Sequence, residues 1–376
     1  MSKERTLPAF TELHQLSSEL NGSKIVFATD DWFAPAENLL KEEEPIFQPD
    51  VFTEFGKLMD GWETRRKRIP GHDWCIIKLG IPGVIHGVEV DTAFFTGNFA
   101  PRISIQAANL TEDLNLHERK GDMIGTAATT EVLTNVQKIN FEAWKEILPM
   151  THLGAGNPDT RHNYFAIRSN EVWTHVRLNM YPDGGIARFR IYGEVSGTVN
   201  DTNKIIDLMS LLHGGMCKGY SNAHYGHPKN LTRPQPSKSM ADGWETARRL
   251  DRPAVLEADE NGILKVTGNE WAVFKLGAIG NISHIQIDTA FFQGNFPDSV
   301  KIDGVLMTRP IHWNNANIEK LNWQTILSPK KLRGNQLHDY KDEIEEKGPF
   351  SHVRITIAPD GGISRVRIYG CKQEKH

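Results

Sequence analysis

One stretch of this chain occurs twice, and that duplication limits what the chain can fold into more than any other feature. Asp60 to Arg66 read DGWETRR, and Trp74 to Phe99 read WCIIKLGIPGVIHGVEVDTAFFTGNF. The same text returns as DGWETAR at Asp242 to Arg248 and as WAVFKLGAIGNISHIQIDTAFFQGNF at Trp271 to Phe296. Self-similarity of this length marks two copies of one folding unit. The chain's 376 residues also exceed one ordinary core. The expected domains are therefore 1–200 and 201–376, with the polar segment Glu194 to Asn203 as linker.

Within each copy, short apolar or alternating runs are separated by glycine. Ile76 to Leu79, Val84 to Phe95 and Ile103 to Ala107 recur as Val273 to Leu276, Ile282 to Phe292 and Val300 to Ile302. Runs of this length, rich in Val, Ile and Phe, read as strands. Asn109 to Trp144 reads as polar loops with one short helix. Ahead of the first copy, Phe10, Leu13, Leu16 and Leu20 follow helical spacing, with Asn21-Gly22 as the stop. Ile205 to Leu212 before Gly214-Gly215 is the counterpart. Each copy closes on alternating runs about a PDGGI segment, where Asp-Gly signals a two-residue hairpin turn. The expected fold is all-β, two tandem β-sandwich or jelly-roll domains with short helices.

Composition narrows the partner. Lys+Arg 43 against Asp+Glu 47 leaves no basic footprint for nucleic acid. No apolar run approaches the roughly 20 residues that span a bilayer. Three cysteines without a CxxC spacing argue against a disulfide framework or structural zinc, and point to the cytoplasm. No P-loop, GxSxG or dinucleotide fingerprint occurs. The partner expected is a small molecule, and no cofactor is required. A divalent metal stays open: His224 and His227 could supply two ligands, with no third in view, and Asp30-Asp31 reads either as loop bonding or as a cation site.

The hairpin register sets Arg177 opposite Arg190 and His175 opposite Tyr192, on the face away from Val176, Leu178 and Met180. The second copy repeats this with Arg354 opposite Arg367 and His352 opposite Tyr369. Like charges facing each other on a sheet are destabilising, so something anionic is expected between them. It is either internal, from Asp60, Glu63 or Asp91, or the carboxylate of a ligand. DGWET likewise reads two ways: a turn in which Asp60 or Asp242 bonds the backbone, or an acid–base site with Glu63 or Glu245 beside Arg66 or Arg248. Asp91 and Asp288 end strands, where they line a binding mouth or cap a loop. Phe94-Phe95 reads as core.

FATDDWFAPAENL, MDGWETRRKRIPGHDW, DTAFFTGNFAPR, SNAHYGHPKNL, SMADGWETARR and the two PDGG segments ending in RIYG together resemble the allantoicase family over nearly the whole chain. The resemblance implies tandem jelly rolls of the galactose-binding-like type, assembled into a homo-oligomer. It also implies a cytosolic hydrolase of purine degradation that converts allantoate and water to ureidoglycolate and urea. Allantoate carries a carboxylate and two ureido groups on one carbon. Glu63 and His175 are then expected as acid and base, with Asp60 and Asp91 as orienting or alternative carboxylates. Arg66, Arg177 and Arg190 would hold the substrate carboxylate, and Asn38, Asn98 or Thr64 the ureas. Glu245, Arg248, Arg354 and Arg367 preserve the set in the second copy. Each copy could then hold a site, or one site could lie where domains or subunits meet; the departures Asp31/Ala223, Trp32/His224 and Arg65/Ala247 suggest unequal roles and favour the first copy. The alternative is a non-catalytic jelly-roll module binding a carbohydrate or small anionic ligand, because fold alone does not assign chemistry.

Overall fold

The computed structural model describes residues 7–111, 114, 116, 119, 121–139, 141–196, 204–307 and 315–373. Contacts divide the chain into two compact units, 1–196 and 197–376. The first contains β1 (Lys24–Ala28), β2 (Trp62–Glu63), β3 (Asp73–Asp91), β4 (Arg102–Ala108) and helix α1 (Thr130–Lys138). After these come β5 (Lys145–His152), β6 (His162–Ala166), β7 (Val172–Tyr181), β8 (Gly185–Ile186) and β9 (Arg188–Val195).

The 19-residue β3 serves both layers of a sandwich. Its first half pairs with β1 and β7, and β7 carries β4 and then β5 on its other edge. Its second half pairs with β9 and β6. Alternate residues of a strand face the same way, so Val176, Leu178 and Met180 of β7 meet Val88, Val90, Phe189 and Ile191 in one core between the layers. The second unit repeats the plan around Glu270–Asp288, which pairs first with Met216–Tyr220 and Phe350–Ala358, then with Arg365–Lys372 and Leu337–Tyr340. The all-β tandem jelly roll is the observed architecture.

Several local expectations are corrected. Glycines 80 and 83 do not end a strand; they let β3 bend from one layer to the other against crossing backbone. A Cβ on Gly80 would lie 2.0 Å from the Asn21 carbonyl oxygen, and one on Gly83 2.5 Å from that of Glu194. The spacing of Phe10 to Leu20 is not a helix. Two 3-10 turns, Ala9–Glu12 and Glu19–Asn21, flank a strand at His14–Gln15 that pairs with β9. Leu16 enters the core beside it, and Ile206–Asp207 with Leu211–His213 repeats the arrangement. Phe94 is not core: it has φ 69° and is 38% exposed, whereas Phe95 is fully buried. Glu194 and Val195 complete β9 and are not linker, and 197–203 lie outside the described residues.

The largest correction concerns the closing hairpin. β7 and β9 do not pair, because β7 lies on the first half of β3 and β9 on the second. PDGGI is therefore a corner between layers, in which β8 pairs with β2, and Asp183 accepts a hydrogen bond from Lys67 N at 2.7 Å. Gly362–Ile363 pairs with Trp244–Glu245 in the same way, and Asp360 takes Arg249 N at 2.9 Å. A turn signal is local and reads the same in a hairpin and in a corner. The outer face of β7, expected to be open, lies under the segment that carries α1. Phe27, Trp74, Ile76 and Val136 form a second small core there with Leu114, Leu116, Ala128, Leu133 and Trp144.

The corner leaves no room for a side chain at Gly61. A Cβ there would sit 2.6 Å from the Ile186 carbonyl oxygen and 2.7 Å from Ala187 Cα, both backbone atoms. Gly61→Ala is expected to cost about 1–3 kcal/mol, as overpacking does. The check is a lower denaturant midpoint at unchanged slope.

Candidate active site

The text shared by the two copies folds into loops knitted together at one end of each sandwich. In the first unit Ala34 bridges Glu63, Phe99 bridges Gly185, and Glu63 pairs with Gly185. Trp62, fully buried, donates its indole N–H to the Asp30 carbonyl at 2.8 Å, and the Asn38 amide donates to the Gly61 carbonyl at 2.9 Å. The Thr64 hydroxyl accepts from Gly184 N at 3.3 Å. With Trp62 and Thr64 turned inward, alternation turns the Glu63 side chain the other way.

Glu63 keeps one polar partner among the described residues. Its Oε1 accepts from the Asn98 amide at 2.6 Å. Burial raises its pKa above the ordinary carboxylate value, and the Asn98 bond only partly opposes that. No cation among the described residues pairs with it. The second unit repeats the pair, with Asn295 donating to Glu245 at 2.6 Å. It repeats the scaffold too: Trp244 donates to the Asn222 carbonyl at 2.8 Å and Asn230 to that of Gly243 at 2.9 Å. The flank differs. Asp30 accepts from Arg65 Nε at 2.8 Å and pairs with its Nη2 at 2.7 Å, and that guanidinium lies 4.2 Å over the Trp32 ring. The second unit has Asn222, Ala247 and His224 in these places, and Asn222 accepts from Ala247 N at 2.8 Å.

The remaining expected site residues fall elsewhere. Arg66 and Arg248 are exposed beside the DGWET loops. Asn38 is buried and clamps backbone through its amide. Asp60 pairs with Arg188 at 2.7 Å and Lys41 at 3.1 Å. Burial works to raise its pKa, but the Arg188 and Ile46 N hydrogen bonds, the Arg188 charge and Lys41 outweigh it and hold the pKa below the ordinary value. Asp91 caps Ala93 N at 2.8 Å and pairs with Arg161 at 2.5 Å.

The facing guanidinium pairs do not exist. Arg177 and Arg354 lie in one layer of their units, Arg190 and Arg367 in the other. Arg190 sits by Glu44 at 3.3 Å and Glu89 at 3.6 Å; Arg367 is 3.6 Å from Asp207; Arg354 pairs with Asp303 at 2.8 Å. The chain's own carboxylates therefore neutralise these three. Arg177 has none among the described residues.

His175 does not meet Glu63. It is buried on β7, its Nδ1 2.9 Å from the Thr174 hydroxyl, beside a cavity of about 380 Å³ shared with Lys24, Lys78, Glu37 and Arg119. From there to Tyr181, where β7 ends, is about 20 Å of strand at ~3.3 Å per residue, and Glu63 lies beyond that end. His352 repeats the arrangement with Ser351 at 2.9 Å. Burial first, then Lys275 and Lys218, bring its pKa down to about 4.

Among the described residues Glu89, Asp91 and His162 come close enough to share a metal ion. Arginines already supply positive charge there: Arg161 bonds Asp91 and Arg190 lies by Glu89, which the Tyr192 hydroxyl and the His162 ring also bond. Asp31 is taken by Arg119 at 3.0 Å, and His227 caps the turn after it through Lys229 N at 2.9 Å. Arg119, Arg161 and Glu44 were not singled out from sequence, since nothing local distinguishes them from surface charge. The Glu63–Asn98 contact, across 35 positions, had one signal: both residues recur in the second copy.

The allantoicase repeat model matches residues 14–196 and again 206–373. The probable allantoicase of Acinetobacter baumannii strain AYE is 38% identical over 371 residues, covering 96% of this chain and 97% of its own. Among solved structures, the allantoicase of Saccharomyces cerevisiae is 34% identical, covering 95% of this chain and 92% of its own, with a TM-score of 0.69. A second allantoicase structure is 33% identical, covers 96% and 93%, and has the same TM-score of 0.69.

Proposed function

The chain belongs to the allantoicase family, and from that premise we propose which of its residues carry the allantoate chemistry. The activity is hydrolysis of allantoate to ureidoglycolate and urea in purine degradation, so the chain is an enzyme and not the non-catalytic module that the fold alone would permit. The catalytic group in our reading is Glu63. The observation that supports it is a half-buried carboxyl with a raised pKa, held by a single amide and paired with no cation among the described residues. Such a carboxyl stays protonated further up the pH scale than an ordinary one, as suits a general acid.

One carboxyl is sufficient for this substrate. The protonated Glu63 gives its proton to one ureido nitrogen, and the bond from that nitrogen to the central carbon breaks, its electrons leaving with urea. The lone pair of the remaining ureido nitrogen forms a double bond to the same carbon. Water then adds to that carbon, its proton returns to the Glu63 carboxylate, and the nitrogen regains its lone pair. The acid of the first half is the base of the second, so His175 has no role in this scheme. Arg66, exposed three residues on, is the cation for the substrate carboxylate, and Asn98 orients Glu63. Glu245 and Arg248 are the counterparts. The first unit is the working copy in this reading, supported by the Asp30–Arg65 pair over Trp32 that the second lacks. Asp60, Asp91, Asn38, Arg190, Arg354 and Arg367 are scaffold. A cytoplasmic home agrees with three free cysteines, and a homo-oligomer completes the reading.

Asn98→Leu tests it. The Asn98 hydrogen bond favours the charged form of Glu63, so its loss raises the Glu63 pKa further. Activity carried by the protonated form is lost as pH rises through that pKa, so the alkaline limb of the urea-release profile should move to higher pH in the variant. A limb that stays in place assigns the titration to another group.

A further inference from the structure

On the outer face of β7 the first unit holds a cation that nothing described in the chain neutralises. The Arg177 guanidinium lies 3.8 Å over the Trp74 ring, and its Nε is buried without a hydrogen-bond acceptor. Burial lowers its pKa to about 10, which leaves it protonated at neutral pH. It borders a cavity of about 280 Å³ lined also by Trp74, Trp144, Gln106, Gln137 and Glu142. Glu142 and Gln137 are exposed, whereas Trp74 is buried. The cavity therefore offers one cation, one exposed carboxylate that makes no ion pair with it, two aromatic walls and two primary amides.

The second unit builds the same place differently. Arg177 faces Gln106 across β7 and β4, and in the same register Arg354 faces Asp303. Asp303 accepts from Arg354 at 2.8 Å and pairs with Lys301 at 2.8 Å, where the first unit has Ser104. Arg354 also lies over an indole, that of Trp323, at 4.8 Å. Two copies of one fold thus each set the arginine over an indole, though not the corresponding one, and only the second has a carboxylate facing it between the strands. A half-buried guanidinium without a counter-ion, its Nε out of reach of water, is less favourable until something anionic joins it, and its planar fork suits a carboxylate.

We propose that the first unit binds a small ureido carboxylate in this cavity, with Arg177 as its counter-ion, and that the second unit has closed the equivalent place with Asp303. Trp74 and Trp144 flank the planar ureido group, and Gln106 and Gln137 match its donors and acceptors. The ligand class rests on the reading above, since substrate and product both belong to it. The pocket itself is separate from Glu63.

Calorimetric titration of the full chain with N-carbamoylglycine tests this. That probe carries a carboxylate and one ureido group, and has no second nitrogen on its central carbon to drive release of urea. Wild type should bind it. Arg177→Gln and Gln106→Asp, the second reproducing the second unit's chemistry, should each weaken binding by about 30-fold or more, with thermal melts confirming that both variants fold. Glu63→Gln and Arg66→Gln should keep the binding event that Arg177→Gln removes, whatever happens to their turnover, which tells this cavity apart from occupancy of the catalytic site by the same probe. Failure of wild type to bind overturns the proposal, as does wild-type affinity in both folded pocket variants. Loss of binding in Glu63→Gln alone overturns it as well, and leaves the Glu63 reading standing.

Discussion

Glu63→Gln is expected to lower kcat for urea release from allantoate by about 100- to 10,000-fold, the range over which a positioned acid–base group contributes. The change is nearly isosteric. The Gln carbonyl can still accept from the Asn98 amide, which now bonds Oε1 at 2.6 Å, so packing is preserved and the transferable proton is gone. The loss should fall on kcat with KM little moved, because the group acts in the transition state. Glu245→Gln, which alters the matching Glu245–Asn295 pair, should have the smaller effect. Equal losses would put chemistry in both units, and a loss in Glu245→Gln alone would move it to the second. Full activity in both variants would remove these glutamates from the mechanism.

Arg188→Met is expected to destabilise the first unit by about 3–5 kcal/mol, the cost of removing one partner of a buried ion pair. Arg188 is 1% exposed, and its guanidinium satisfies four groups. It pairs with the Asp60 carboxylate at 2.7 Å and donates to the carbonyls of Glu43, Asp60 and Ala187 at 2.9, 3.0 and 2.8 Å. Methionine fills the volume and leaves all four unanswered. The pH dependence has a definite sign. The folded state holds the Asp60 pKa below its ordinary value, so this stabilisation is present above the unfolded carboxylate pKa and is lost as pH falls through the folded one. Arg188→Met should therefore unfold at lower denaturant at neutral pH and lose less than wild type on acidification. Arg177→Gln is the contrast: with no ion pair to break among the described residues, it should leave the denaturant midpoint near that of wild type.

These two arginines, eleven positions apart, look alike in the sequence. Both follow one residue after an apolar position in an alternating run, and the run states only that they share a side away from the core. Which carboxylate meets which guanidinium depends on strands far off in the chain. Asp60 reaches Arg188 across 128 positions and Arg161 reaches Asp91 across 70, and neither separation leaves a local trace. The two-residue turn signal in PDGGI misled for the same reason. It marks where the chain changes direction and is silent on whether the next strand returns beside the last or crosses to the other layer.

What the sequence by itself determined was the duplication, the all-β class, the strands' inward faces and the recurrence of Glu63 and Asn98 with their partners in the second copy. These are periodic or repeated features, and period and repetition are properties of the chain as written. Only the tertiary structure decided that β3 serves both layers, that β7 and β9 do not pair, and that Asp303 pairs with Arg354 in one unit where Gln106 faces Arg177 in the other. Such facts depend on which distant segments share a hydrogen-bonded edge, because a charge is satisfied or stranded by its neighbours in space.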